Sequence, residues 1–263
     1  MTSNPASFKN PCVQPAAQEE WTQVRRKGRR RNPGRTQSWP QPRDSSSDIP
    51  KRGPRISNLT VDEVRTAHDR IASQWAASPL GEQLAAALAL SPPLSVSTAV
   101  CLGIGTFDPD DGSWELRRRA HVQLAAFLFM VDHYRKRQGG DSDVAIRCVF
   151  QEPLFTPTDR AFLEGLGHVV VDTPEAFAVV GPGTLLFAVH MYRDVYTRAI
   201  AGCVPAVFVG TAYEVWEDIH SPQEEEWTCM KELNERCDKV PFPDDDQLTF
   251  SNTYIHWRRD GDS

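Results

Sequence analysis

His190 and Glu152 are the two side chains in this 263-residue chain whose types and positions suit proton transfer. His190 follows an apolar run, 184–189, and precedes a helix start, where an imidazole can act as a general acid or base. Glu152 comes shortly after the apolar run 144–150, and a carboxylate can do the same. Each also has a structural interpretation: the histidine can bond a loop carbonyl, and the glutamate can cap the next helix or face solvent. Both interpretations stay open.

A glycine turn, Gly103-Ile104-Gly105, follows another apolar run and could bind a ligand through its backbone. Glycines let backbone N–H groups approach a phosphate, a ribose or a carboxylate. A dinucleotide fingerprint needs a third glycine and an acidic residue about 20 positions further on. Here Phe107 and Asp108 stand where the third glycine belongs, and Glu152 follows Gly105 by 47 positions. NAD is therefore disfavoured, which leaves a pocket for S-adenosylmethionine or a nucleotide, or a turn that only joins strand to helix.

A sheet must bring these residues together, and the hydrophobic pattern predicts one. Short apolar runs alternate with segments of helical periodicity, which indicates a parallel sheet covered on both faces. The predicted fold is α/β, a Rossmann-like three-layer sandwich with N-terminal helices and a mainly parallel sheet of five or slightly more strands. The predicted strands are a short one within 98–105 that runs into the glycine turn, and 144–150, 168–171, 184–189 and 204–209. The predicted helices are 61–75, 79–90, 113–138, 157–165, 192–202, 213–219 and 224–237, followed by a loop at 241–246 and an extended end at 249–257.

Two helix starts are marked by their residue types. Thr60 and Glu63 form the pattern of a capping box, and Thr156 stands before Pro157, a residue favoured at the first helical position. His68 falls on the apolar face of the first helix. A packed core histidine is the favoured interpretation there, ahead of a ligand-binding one.

In an open parallel sheet, ligands bind beyond the carboxyl ends of the strands. The candidate ligand-binding residues are those that end the predicted strands: Gly103, Gly105, Thr106, Glu152, Asp172, His190, Gly210 and Thr211. Asp172 precedes a Thr-Pro-Glu sequence, so a helix cap is its first interpretation, ahead of ligand binding. The consecutive residues Arg117, Arg118 and Arg119 cannot all face one ligand, so we expect a solvated face from which one could reach an anion.

Charge divides the chain into a basic head and an acidic body. Residues 1–55 hold 12 Lys and Arg against four Asp and Glu, with few large apolar residues, which predicts a disordered head. Its basic block is a candidate nuclear localisation signal or nucleic-acid contact, or a tail without a specific role. The block consists of Arg25, Arg26, Lys27, Arg29, Arg30 and Arg31.

The acidic body, with 17 Lys and Arg against 31 Asp and Glu, argues against nucleic-acid binding except through the head. The predicted domain covers 56–258, with a helical extension at 60–90, a core at 97–220 and a C-terminal segment at 221–258. No apolar run reaches the roughly 18 residues that span a bilayer, so we expect no membrane segment. The six cysteines lack metal-ligand spacing, so we expect no metal.

Several motifs together resemble one family. One segment resembles CLGLGSF, which opens the domain of the plant sensitivity-to-red-light-reduced protein and its relatives: it is Cys101-Leu102-Gly103-Ile104-Gly105-Thr106-Phe107. Ser113 and Gln123-Leu124 are similar to that family's following Ser and Gln-Leu. Its block DPxFT..D...L..LG resembles Glu152-Pro153-Leu154-Phe155-Thr156 with Asp159, Leu163 and Leu166-Gly167. Its blocks FxPH…Y and LIGNSF resemble Phe187-Ala188-Val189-His190 with Tyr196 and Val207-Phe208-Val209-Gly210-Thr211, respectively. The resemblance covers about residues 20–258, and the tail 250–258 looks like that of fungal members.

The resemblance implies a regulatory protein, linked to circadian and light-input control or to haem metabolism, in the cytoplasm, the nucleus or both. Three strand ends depart from the family pattern, with Glu152 for Asp, Val189 for Pro and Thr211 for Asn, which argues against a shared catalytic chemistry. The leading hypothesis is a non-enzymatic regulator that binds a small molecule or a protein partner. The alternatives are a methyltransferase-like enzyme with His190 or Glu152 as acid/base, and an interaction module without a ligand. S-adenosylmethionine, a nucleotide and haem all remain candidate ligands.

Overall fold

The computed structural model of the protein describes residues 55–139, 145–217, 228–245 and 248–259. Residues 1–54 of the predicted basic head, with the block at 25–31, lie outside the described residues. Helices and strands alternate along the described chain, in the order that the hydrophobic pattern predicts.

A mixed sheet of seven strands forms the centre of the described structure. The strands are β1 (Thr98–Leu102), β2 (Arg147–Gln151), β3 (Val169–Val171), β4 (Thr184–Phe187), β5 (Val207–Thr211), β6 (Cys237–Pro241) and β7 (Thr253–Arg258), in the spatial order β3-β2-β1-β4-β5-β7-β6. Strands β1 to β5 pair in parallel, whereas β7 runs antiparallel to both β5 and β6. The predicted α/β class and mainly parallel sheet are confirmed.

Helices lie on both faces of this sheet. They are α1 (Val61–Ala76), α2 (Pro79–Ala89), α3 (Trp114–Arg137), α4 (Pro157–Glu164), α5 (Arg193–Ile200), α6 (Tyr213–Glu217) and α7 (Thr228–Arg236), with a 3-10 helix at Glu175–Val179. Alternate residues of a strand point to opposite faces. Ala99 and Cys101 of β1 therefore pack in one core cluster with α1 to α4, and Val100 and Leu102 pack in a second with α5, α7 and the 3-10 helix.

The chain reverses its direction across the sheet at β1. Helices α3 and α4 connect β1, β2 and β3 and pack on one face, whereas α5 connects β4 to β5 and packs on the other. Parallel crossovers keep one hand, so a chain that turns back past β1 must place its next helix on the opposite face. The strands β1 and β4 are consequently neighbours at the point where the strand order reverses.

Three sequence predictions are corrected. A helix was predicted to end at 237 and a loop to begin at 241, but residues 237–241 form β6. This strand has no apolar run, since only Cys237 is buried, and it is held by pairing with β7. Strand β5 begins at Val207 instead of 204, since Pro205 has no N–H to donate to a ladder. Asp172 does not cap a helix: the 3-10 helix has Pro174 at its N-cap and no side-chain cap bond.

Candidate functional site

The turns after β1 and β4 lie side by side at the carboxyl edge of the sheet. The segment 103–106 follows β1, the segment 188–191 follows β4, and the two strands pair directly. Open parallel sheets bind ligands at the point where the strand order reverses, because the connecting segments diverge there and leave a crevice. We call the space between these two turns the crevice.

The glycine turn after β1 is held in shape by the last residue of β2 and by the turn that follows it. Gly103 and Gly105 have φ values of +67° and +83°, which glycine adopts readily. The N–H of Gly103 donates to the carbonyl of Gln151 at 3.0 Å, and the N–H of Gly105 donates to Oε2 of Glu152 at 2.9 Å. The turn beside the crevice is therefore already ordered without a ligand, and one of its N–H groups, that of Gly105, already donates to the Glu152 carboxylate.

Glu152 joins two turns through its two carboxylate oxygens. While Oε2 accepts from Gly105, Oε1 accepts from the N–H of Leu154 at 2.8 Å. The side chain is buried, and burial raises the pKa of the carboxyl against the opposing effects of these two bonds and of the Arg55 charge. Glu152 neither caps α4, whose cap is Thr156, nor faces solvent.

A second buried carboxylate, Asp159, fixes the rest of the turn. Its Oδ2 accepts from the hydroxyl of Thr106 at 2.6 Å and from the N–H of Thr156 at 2.8 Å, and its Oδ1 accepts from the N–H of Phe107 at 3.1 Å. Asp159 is also the third residue of the capping box that starts α4. Thr106 is thus a structural residue of the turn, and Asp159 is a site-forming residue that strand-end reasoning missed. The helix-start pattern at 156–159 was the available signal.

Met191 covers part of the crevice. A Cβ added to Gly103 would lie 2.0 Å from the methyl carbon of Met191, so only glycine allows the methionine to lie across this turn. A Cβ added to Gly105, in contrast, would meet nothing within 4 Å. A ligand could therefore approach Gly105 freely, whereas it would have to displace the flexible Met191 side chain to reach Gly103. No sequence signal distinguishes Met191 from an ordinary core methionine.

His190 is exposed and already bound to a neighbouring loop. Its backbone is left-handed, with φ of 55°, and its Nε2 lies 2.8 Å from the carbonyl oxygen of Ser251 and 3.3 Å from the Ser251 hydroxyl. A carbonyl only accepts, so Nε2 carries a proton in this bond. This arrangement matches the structural interpretation of His190, and Nδ1 is the ring nitrogen left for other chemistry.

The two candidate residues on β5, Gly210 and Thr211, both contact Tyr196, and Gly210 also contacts the Phe208 ring. A Cβ on Gly210 would lie 2.7 Å from the Phe208 ring and 3.0 Å from the Tyr196 ring. The Tyr196 hydroxyl donates to the carbonyl of Ala188 at 2.7 Å and accepts from the N–H of Thr211 at 3.0 Å. Tyr196 thereby ties the ends of β4 and β5 together, and burial raises the pKa of its hydroxyl.

Asp172 is separated from the other candidates. It follows β3, which is an edge strand two positions away from β1, and its exposed carboxylate forms an ion pair with Arg160. The structure therefore brings together the glycine turn, Glu152 and the β4 turn, and leaves Asp172 apart.

The described residues contain neither a group of metal-ligand side chains nor a helix that could span a membrane. Nowhere in 55–139, 145–217, 228–245 and 248–259 do three or more His, Cys, Asp or Glu side chains group as metal ligands would. Within the same ranges, each helix is too short or too polar to cross a bilayer.

Comparison with known proteins identifies one family. The family model of the SRR1 domain matches residues 80–257, which is more than half of the chain. The matched range begins in α2 and ends in β7, so it includes the glycine turn, Glu152, His190 and the whole sheet except the last residue of β7. Neither a curated protein nor a solved structure matches the chain.

Proposed function

Because this chain belongs to the SRR1 domain family, we propose that it is a regulatory protein that responds to a small molecule bound in the crevice between β1 and β4. The order of its parallel strands, β3-β2-β1-β4-β5, supports a Rossmann-like arrangement, in which ligands lie beyond the carboxyl ends of the strands. The resemblance to light-input and haem-metabolism regulators supports action in the cytoplasm or the nucleus. The basic block at 25–31 would supply the nuclear signal.

The observation that carries this proposal is the ordered but open glycine turn. Gly105 faces free space at a conformation that other residues rarely adopt, although nothing in the packing around it excludes a side chain. Two buried carboxylates, Glu152 and Asp159, hold the turn in place. A preformed turn lowers the conformational entropy that a ligand must remove on binding.

The charge of Glu152 bears on which ligand fits. A phosphate would bind this turn through backbone N–H groups, but the Gly105 N–H already donates to a carboxylate. A second anion at that place would meet a like charge in a partly dry environment. We therefore expect the group nearest Gly105 to be neutral or positive, which favours S-adenosylmethionine, with its sulfonium and ribose hydroxyls, over the phosphates of a nucleotide.

The same argument keeps a methyltransferase-like enzyme as the second candidate, because S-adenosylmethionine is the methyl donor of such enzymes. We rank a ligand-binding regulator ahead of an enzyme because both acid/base candidates already form hydrogen bonds within the chain. Both Glu152 oxygens accept backbone N–H groups, and the His190 Nε2 donates to Ser251. An enzyme that used Glu152 would first have to release it from these partners, and an enzyme that used His190 would have to act through Nδ1.

A titration series on the full chain tests the proposal. Isothermal calorimetry and thermal unfolding would be measured with S-adenosylmethionine, S-adenosylhomocysteine, adenosine nucleotides, NAD and haem. A ligand at about 100 times its Kd raises the unfolding free energy by roughly 2.7 kcal/mol. Gly105→Trp should abolish the binding, because the indole would fill the open space at the turn.

Gly167→Trp is the matched control. Gly167 has φ of +87° and also faces free space, but it precedes β3 and lies at the amino edge of the sheet. The same backbone strain then arises away from the crevice. S-adenosylmethionine binding that survives Gly105→Trp, or an absence of binding by every compound, contradicts a ligand site in the crevice. Transfer of a labelled methyl group to a protein substrate would place the enzyme ahead of the regulator.

A further inference from the structure

A groove of about 310 Å³ lies along the first turns of α3, and none of its residues belongs to the crevice. Its walls are Trp114, Glu115, Arg118 and Arg119 of α3, with Thr249 from the loop before β7. Residues four apart share one side of a helix, so the two arginines follow the tryptophan and the glutamate along the same face. Small-molecule sites range over about 300–1,000 Å³, so the groove suits a ligand with one ring system and one anionic group.

The two arginines bring positive charge without a counter-ion. Neither Arg118 nor Arg119 has an ion pair or a side-chain hydrogen bond to any described residue. Some arginines elsewhere on the surface are paired, for example Arg160 with Asp172 and Arg236 with Glu232. In a body with 31 acidic residues against 17 basic ones, an unpaired arginine couple is a place where an anion gains charge-assisted hydrogen bonds.

The arginine triplet does not form one solvated face. Arg117 is turned away from the groove: its Nε is buried without a partner among the described residues, and its charge acts on Glu63 of α1. The prediction that the three side chains cannot serve one ligand together agrees with this division. Arg118 and Arg119 remain as a couple, and two guanidinium groups can hold a single phosphate from two sides.

Trp114 and Glu115 add features that a simple anion would not use. The Trp114 side chain is 65% exposed and makes no ring contact within the described chain, although indoles are usually packed. Its face can stack on a planar ring. The carboxylate of Glu115 can accept from a hydroxyl or amino group, and it disfavours ligands that carry several negative charges.

We propose that this groove binds a small phosphorylated ligand with a planar ring, of the mononucleotide class. The phosphate lies between Arg118 and Arg119, the ring stacks on Trp114, and a ligand hydroxyl or amino group donates to Glu115. This site is independent of the ligand proposed for the crevice. The two differ in charge preference, since Glu152 disfavours an anion at the glycine turn and the arginine couple attracts one.

The test uses the full chain with AMP, adenosine and inorganic phosphate as separate probes in calorimetric titrations. AMP should bind more tightly than either fragment, and its affinity should fall as salt rises. Arg118→Gln and Arg119→Gln should each lower the AMP affinity about tenfold or more, since each removes a charge-assisted bond. Trp114→Ala should weaken AMP but leave phosphate unchanged.

Arg147→Gln is the charge-matched control, because Arg147 is exposed at the amino end of β2 and lies outside the groove. Gly105→Trp should also leave AMP binding unchanged, which separates this site from the crevice. Phosphate that binds as tightly as AMP would show that the ring contributes nothing and would overturn the proposal. The proposal would also be overturned if Arg118→Gln and Arg119→Gln bound AMP as tightly as the wild-type protein, or if the folded chain did not bind AMP.

Discussion

Acid should destabilise this protein through histidines that fold in their neutral form. His121 of α3 is completely buried, and both of its ring nitrogens lack a hydrogen-bond partner within the described residues. Its ring lies 4.9 Å from the Phe107 ring and 5.6 Å from the His68 ring. Burial, aided by the charges of His68, Arg117 and Arg70, lowers the pKa of His121 from 6.5 to about 3. Replacing His121 by leucine removes this titration.

The size of the effect follows from the two histidines with the largest shifts. Burial also lowers the pKa of His256, in β7, from 6.5 to about 4, and the nearby Lys239 charge acts in the same direction. A group whose pKa is lower in the folded state stabilises the fold above its unfolded pKa and loses that contribution as the pH falls. Between pH 7 and pH 5, each histidine should therefore remove about 2 kcal/mol from the free energy of unfolding, or about 4 kcal/mol for both.

Other titratable groups change the total loss of unfolding free energy between pH 7 and pH 5. They do not change the difference in that loss between the wild-type protein and His121→Leu. Burial lowers the pKa values of His68, His133 and His168 as well, which adds to the loss. Burial raises the pKa values of Glu152 and Asp159, which act in the opposite direction because the folded state then holds protons more firmly. The difference between the wild-type protein and His121→Leu isolates one histidine.

The assay is urea unfolding of the full chain, followed by circular dichroism at pH 7 and pH 5 at constant ionic strength. His121→Leu should lose about 2 kcal/mol less than the wild-type protein between the two pH values. Phe127→Leu, a buried substitution in the same helix, is the control: it should lower the free energy of unfolding equally at both pH values. Equal losses for His121→Leu and wild-type protein would refute the reasoning.

Three further predictions concern the bonds and contacts around the crevice and the core. Asp159→Asn should lower the free energy of unfolding by about 2–4 kcal/mol, since an amide nitrogen would face N–H donors that now reach a carboxylate. Gly103→Ala should lower it by about 2 kcal/mol and Met191→Ala should offset part of that loss, a coupling of about 1 kcal/mol in a double-mutant cycle. Tyr134→Phe should lower it by about 1–3 kcal/mol, because the buried Trp257 N–H, now 2.8 Å from the tyrosine hydroxyl, would lose its acceptor.

Each of these three has a measurement that decides it. Urea unfolding of all variants at pH 7 gives the free energies. Strict additivity of the Gly103 and Met191 substitutions would show that the methionine does not lie across the glycine. Wild-type stability of Asp159→Asn or of Tyr134→Phe would show that those bonds are exchanged for water without loss.

The hydrophobic pattern was sufficient for the fold class and for most helix and strand positions. Runs that are apolar almost throughout are buried on both faces, which makes them strands of a parallel sheet. The helix starts at Thr60 and Thr156 follow from side-chain bonds to backbone N–H groups within three residues, so they are visible in the local sequence. Strand β6 was missed for the converse reason: its residues are partly exposed, and only pairing with β7 makes them a strand.

For the candidate site, the sequence alone determined which residues end the strands and thus reach one edge of the sheet. Only the tertiary structure decided what those residues do there, because each role depends on partners distant along the chain. Glu152 bonds to Gly105, His190 to Ser251, and Met191 lies over Gly103. Such contacts arise when strands separated in sequence become neighbours, and no periodicity or local motif records which side chain then meets which backbone group.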